Sequence, residues 1–156
     1  MATTAFECIA ALRRAGRTLA TAESCTGGGI GAALTSVPGS SQVYAGSIIS
    51  YTNAVKHRLL GVPEDMLTQF GAVSAPVAAA MAAGARSALG TDLALSVTGL
   101  AGPGGDDYGN PVGTVYLGYC DRDGVYTRKY LFSGSRQEIR QAAIQAALTW
   151  IAEENP

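Results

Sequence analysis

The chain has 156 residues, 47% hydrophobic and 15% charged, with 11 Lys+Arg against 12 Asp+Glu for a formal net charge of −1. That composition excludes a disordered chain, fits one compact domain over residues 1–156, and disfavours a nucleic-acid binder, whose affinity rests on a concentrated basic surface. No uninterrupted apolar run reaches the roughly 18–20 residues of a membrane span, and Glu7, Arg13 and Arg14 break up any signal-peptide pattern.

The spacing of Phe6, Ile9, Ala10 and Leu12 predicts a first helix ending near Gly16, followed by a buried strand over 17–22. A short small-residue helix is expected from Gly28 to Ser36, then a turn at Val37-Pro38-Gly39-Ser40-Ser41. Residues 42–51 are rich in β-formers and read as a second strand with Tyr51 at its end, and residues 53–60 as a helix. Pro63 opens a further helix to about Gly71, and Ser74 caps a long one through Leu89 with Gly90 behind it. Leu93 to Val97 is a short strand running into a glycine-rich loop from Thr98 to Asp107. Residues 112–120 and 124–132 predict an antiparallel hairpin. Ser135-Arg136-Gln137-Glu138 is a capping box opening a last helix whose Ile139, Ala142, Ala143, Ala146 and Trp150 form an apolar stripe. Strands and helices alternate before the hairpin, so the expected fold is α/β: three layers, α/β/α, around a mixed sheet.

Ala22-Glu23-Ser24-Cys25-Thr26-Gly27-Gly28-Gly29 puts a hydroxyl beside three glycines where strand gives way to helix. That position suits a nucleophile or an anion cradle, and a plain N-cap also satisfies it. Gly27-Gly28-Gly29-Ile30-Gly31-Ala32 loosely fits a dinucleotide fingerprint, but no Asp or Glu occurs between Glu23 and Glu64 to bind ribose hydroxyls. No P-loop pattern is present. With a single histidine, His57, the best base for a serine nucleophile is Lys56, and burial or a neighbouring cation would have to lower its pKa. The S-x-x-K spacing of penicillin-binding proteins is absent, since Asn53 stands three before Lys56.

The acid-free stretch holding Lys56, His57 and Arg58 predicts a locally positive site for a small anion. The loop from Thr98 to Gly105 can bend its amides into a phosphate nest, or be a plain loop. Arg136 and Arg140 share one helical face, either solvated or able to reach a phosphate. Cys8, Cys25 and Cys120 are odd in number and widely spaced, so they read as reduced thiols of a cytoplasmic protein, and with one histidine they offer no local ligand pair for a metal.

Together, Ala22-Glu23-Ser24-Cys25-Thr26-Gly27-Gly28, Pro38-Gly39-Ser40-Ser41, Tyr51-Thr52-Asn53 with Lys56, Gly71-Ala72-Val73-Ser74, Thr98-Gly99-Leu100-Ala101-Gly102-Pro103 and Pro111-Val112-Gly113-Thr114 resemble the CinA C-terminal domain family. Its enzymatic members are nicotinamide-nucleotide amidases. The resemblance runs in order from about residue 5 to 150 and reads as a stand-alone form of the domain. It implies hydrolysis of the carboxamide of nicotinamide mononucleotide to nicotinate mononucleotide and ammonia, in pyridine-nucleotide recycling. Ser24 would be the nucleophile and Lys56 its base, with Tyr51 orienting Lys56 or relaying its proton. Backbone amides near Thr26, Gly27 and Gly28 would stabilise the oxyanion. Thr98, Gly99, Gly102, Gly104 and Arg140 would hold the nucleotide, with no cofactor and no metal. Asp106 and Asp107 depart from the family loop and are expected to point away. A homo-oligomer, taken as a dimer, is expected. The alternative is an inactive member that binds a nucleotide or a partner in a competence or damage setting.

Overall fold

The computed structural model describes residues 2–156. The elements run α1 (Ala5–Ala15), β1 (Leu19–Glu23), α2 (Gly29–Thr35), β2 (Tyr44–Ile49), α3 (Asn53–Leu60), α4 (Glu64–Phe70), α5 (Ala75–Leu89), β3 (Leu93–Gly99), β4 (Thr114–Asp121), β5 (Gly124–Leu131) and α6 (Arg136–Glu154). The sheet order is β2-β1-β3-β4-β5. β1 pairs in parallel with β2 and β3, and the last three strands are antiparallel, so the sheet is mixed and the predicted α/β architecture is the one observed.

β1 is buried at every residue because it is central in the sheet and covered on both faces. Its side chains alternate between two cores. Leu19 joins Cys8, Ile9 and Leu12 of α1, Ile30 and Leu34 of α2, and Ile139, Ala143 and Ile151 of α6. Ala20 and Ala22 face the other way, onto Leu60 of α3, Leu67 of α4, and Val77, Met81 and Ala85 of α5. Small strand residues on that face let the second helical layer come close. Gly84 on α5 does the same for α3: a Cβ there would meet the Leu60 carbonyl oxygen.

Boundaries differ from the sequence expectation where local bonds compete with the ladder. Ser40–Gln42 forms a 3₁₀ turn closed by Gln42 N–H on Gly39 O and Val43 N–H on Ser40 O, so β2 begins only at Tyr44 and ends before Tyr51. β3 runs on through Thr98 and Gly99, which pair with Tyr116 and Val115 of β4 and are strand rather than loop. On α6 the buried stripe is Ile139, Ala143, Ala147, Leu148, Trp150 and Ile151, with Ala142 and Ala146 half-buried. Ser74 occupies the N-cap of α5, yet its hydroxyl donates to Gly71 O instead of capping the helix.

The capping box of α6 is complete: Ser135 Oγ accepts from Glu138 N–H at 3.2 Å, and Glu138 Oε1 accepts from Ser135 N–H at 2.9 Å. Ser135→Ala should therefore cost about 1 kcal/mol. In urea unfolding this shows as a lower midpoint with an unchanged m-value.

Candidate active site

Alternation along β1 decides which layer each side chain at its carboxyl end meets. Glu23 points with Leu19 and Thr21 toward α2, while Ser24 follows Ala20 and Ala22 toward α3. The neighbouring strand is tied at the same level, because Ser50 N–H donates to Glu23 O at 2.7 Å. The chain then enters α3, where the Thr52 hydroxyl accepts from Val55 N–H. Lys56 and Leu60, one turn apart, form the buried face of this helix.

Lys56 is 1% exposed, and its side chain reaches back past the helix N-terminus. Nζ lies 2.9 Å from Ser24 Oγ, 2.8 Å from Ser50 O and 3.3 Å from Tyr51 O. A neutral amine has two N–H donors and one lone pair. The two carbonyls can only accept, so they take the N–H groups, and the lone pair is left for the serine hydroxyl. Burial lowers the Lys56 pKa from 10.5 to about 8, because the ammonium form loses its hydration and has no carboxylate partner among the described residues. The adjacent Cys25 is a buried free thiol whose pKa burial pushes up to about 11, so it stays protonated and weakly nucleophilic beside the serine.

The pair opens into a cavity of about 280 Å³ at the carboxyl ends of β1 and β3, where ligands sit in open α/β sheets. Thr98, Gly99, Gly102 and Gly104 all line it, as do Ser24, Cys25, Tyr51 and Lys56. Thr98 Oγ1 donates to Ala72 O at 2.8 Å, joining the end of β3 to the segment before α5. Asn110 Nδ2 donates to Val73 O at 3.0 Å and the Tyr108 hydroxyl to Thr68 O at 2.7 Å, which moors the glycine loop to the same side. Asp106 accepts from Tyr108 N–H, Asn110 N–H and Asn110 Nδ2 within its own loop, and neither it nor Asp107 lines the cavity.

Three expected roles change. Tyr51 touches Lys56 through its carbonyl rather than its phenol, which is exposed and accepts from Arg136 Nη2 at 3.2 Å. Arg140 does not line the cavity: its guanidinium donates to Cys25 O at 3.0 Å and Thr26 O at 3.1 Å, clamping the loop after β1 from α6. Arg136, one turn earlier, reaches the mouth and donates to Gly102 O at 2.6 Å. Gly27 N–H closes a turn onto Ser24 O and is not free for an oxyanion, whereas the Cys25, Thr26 and Gly28 amides have no backbone acceptor among the described residues. Gly27 and Gly28 adopt φ of +61° and +100°, which a side chain would strain.

The loop-to-helix junction is not an open anion cradle. Glu23, fully buried, turns its carboxylate under the loop and accepts from Ile30 N–H and Gly31 N–H at 2.9 Å each and from Thr26 Oγ1 at 2.7 Å. Sequence reading gave Glu23 no part; strand alternation at its odd position was the available signal. A larger hollow, about 420 Å³, lies at the opposite end of the sheet among Arg17, Arg86, Asp92 and Asp121. Its main groups are mutually engaged, Arg17 on Asp121 and Asn155 and Arg86 on the Asp92 carbonyl, and no serine, threonine, cysteine or lysine lines it.

The lowered Lys56 pKa fixes a pH dependence of stability. Between pH 8 and 10.5 the unfolded chain binds more protons at this site than the folded one, so stability rises with pH across that window and the full cost of burial is present below it. Urea unfolding of wild type and Lys56→Met should show the gap moving in favour of wild type by roughly 3 kcal/mol from pH 7 to 10.5. A flat gap would mean that the amine titrates alike in both states.

The family model of the CinA C-terminal domain matches residues 1–155. A CinA-like protein of Parasynechococcus marenigrum is 60% identical over 142 residues, covering 90% of this chain and 34% of that protein. One from Geobacter sulfurreducens is 52% identical over 139 residues, covering 89% and 34%. The chain thus spans about a third of the length of these relatives. Among solved structures, a CinA superfamily protein of Klebsiella pneumoniae has a TM-score of 0.94 at 30% identity, covering 96% of this chain and 94% of that one. A competence/damage-inducible protein of Agrobacterium tumefaciens has a TM-score of 0.88 at 39% identity, with 100% of both chains covered. By sequence and by fold, the chain belongs to the CinA C-terminal domain family.

Proposed function

We propose that this domain is an amidohydrolase that converts nicotinamide mononucleotide to nicotinate mononucleotide and ammonia. The observation that carries the reading is the 2.9 Å approach of Lys56 Nζ to Ser24 Oγ in a site where the amine is buried and its pKa lowered. Neutral Lys56 takes the hydroxyl proton as Ser24 Oγ attacks the carboxamide carbon, and the Cys25 and Thr26 amides receive the oxyanion. The ammonium formed on Lys56 returns its proton to the departing ammonia, leaving an acyl ester on Ser24. Water, deprotonated by Lys56, then releases the carboxylic acid and restores the hydroxyl.

The lining supports a substrate that is part apolar and part anionic. Ala72, Val73, Leu100 and Ala101 offer walls for a flat ring, no carboxylate lines the cavity, and the Arg136 guanidinium stands at its mouth without an acidic partner among the described residues. Thr98 and the glycines 99, 102 and 104 would hold the nucleotide beside it. Arg140 acts on the loop instead of the ligand.

Ammonia release should be seen with nicotinamide mononucleotide and be far weaker with nicotinamide, its riboside or the dinucleotide. Ser24→Ala should abolish it; full activity in that variant would eliminate the nucleophile. Because the base must be unprotonated, kcat/KM should rise with pH and level off above about 8. Arg136→Ala should raise KM about tenfold with kcat little changed, since it removes a charged contact remote from the reacting carbon. An unchanged KM would take Arg136 out of the binding site.

A further inference from the structure

We propose that Glu23 is a positioning residue for the nucleophile, a buried carboxylate that sets the loop from Ser24 to Gly28 at the height where Ser24 Oγ meets Lys56. The inference rests on the Ser24–Lys56 reading and adds to it a residue that touches neither substrate nor base. Glu23 is 0% exposed. Oε1 accepts from Thr26 Oγ1 and Ile30 N–H, and Oε2 from Gly31 N–H, with Ser47 Oγ at 3.3 Å and Thr21 Oγ1 at 3.4 Å. No cation pairs with it among the described residues.

A buried carboxylate without a counter-ion persists only when donors replace its water, and here they come from β1, β2, the loop and the first turn of α2. The N-cap of α2 is Gly28, which has no side chain to offer. Glu23 supplies that missing cap from the strand, so the helix start, the Thr26 hydroxyl and the strand end are fastened to one group. Ser24 lies between the fastened residues. Its neighbour on one side carries the carboxylate, and Thr26 on the other is held by it. Without this tie the loop is held from one side only, by Arg140 on Cys25 O and Thr26 O, and a displacement of about 1 Å at a nucleophile is worth on the order of a hundredfold in rate.

E23Q isolates the role because it keeps the shape of the side chain. Each carboxylate oxygen accepts one main-chain N–H, so whichever way the amide is turned its nitrogen confronts an N–H donor. Two readouts are taken on the whole chain: the rate at which Ser24 is captured by an aryl sulfonyl fluoride, followed by intact mass and peptide mapping, and kcat and KM for ammonia release from nicotinamide mononucleotide. In E23Q, capture rate and kcat should both fall on the order of a hundredfold while KM stays within about threefold, because the apolar walls and Arg136 come from other segments. I9A, in the α1 core, is the comparison: it should lower the melting temperature and leave kcat within about threefold.

Capture and turnover within about threefold of wild type in E23Q would overturn the positioning role, and so would an equal fall of kcat in I9A, which would make the effect one of general softening. If E23Q does not fold, T26V, which removes one donor and keeps the main chain, should slow capture about tenfold, and an unchanged rate would overturn the proposal. Absence of Ser24 capture in the wild type would overturn the Ser24–Lys56 reading itself, and the Glu23 role with it. Capture in the wild type without ammonia release would sink only the choice of substrate, and the capture rates would still decide the role of Glu23.

Discussion

Lys56 Nζ is surrounded by the oxygens of Ser24, Ser50 and Tyr51, on a side chain that is almost wholly buried. Burying an ammonium costs several kcal/mol unless an anion compensates, and none pairs with it among the described residues. The site answers that cost by shifting the protonation equilibrium toward the neutral amine. What is a liability for stability is, in the proposed reaction, the property a base requires. Every other feature near the pair serves to keep those three oxygens in place: the ladder end that fixes Ser50, the helix start that aims Lys56, and the loop that presents Ser24.

The central strand divides labour between the two helical layers. Side chains of one parity fill the layer of α1, α2 and α6, and those of the other parity face α3, α4 and α5. Consecutive residues at its end therefore enter different environments. Glu23 is sealed beneath α2 with five donors, and Ser24 meets an amine on α3. A carboxylate and an amine, both buried and both close to the same loop, do not form an ion pair because the sheet stands between their layers. Had they met, the amine would have been held protonated and lost as a base.

Much of this was legible in the residues. The order of strands and helices, the capping box at Ser135, and the placement of Ser24 at a strand end all follow from local patterns whose physics is short-ranged. The partnership of Ser24 with Lys56 was reachable by elimination, since one histidine and few lysines left little choice. The destinations of Tyr51, Arg136 and Arg140 were not legible. Both arginines lie on one helical stripe, and which of them grips the loop after β1 and which reaches the cavity mouth depends on the axial position of α6 relative to that loop, a tertiary quantity. The fate of Thr98 and Gly99 was hidden for a similar reason: their composition says loop, while the partner strand β4 extends the ladder to include them.

The segment from Leu100 to Asn110 is moored on both helical layers: Tyr108 and Asn110 tie it to Thr68 and Val73, on the layer that also carries Lys56, and Arg136 of α6 holds Gly102 from the other. Force exerted by a guest on this roof is thus shared between the two layers, through Arg136 on one side and through Tyr108 and Asn110 on the other. Accommodation of a bulkier guest is resisted from both faces of the sheet. The exposed tip at Gly109, surrounded by open space and held at a φ of +85° that suits glycine, is the place where descendants of this chain can lengthen the roof by insertion rather than by substitution.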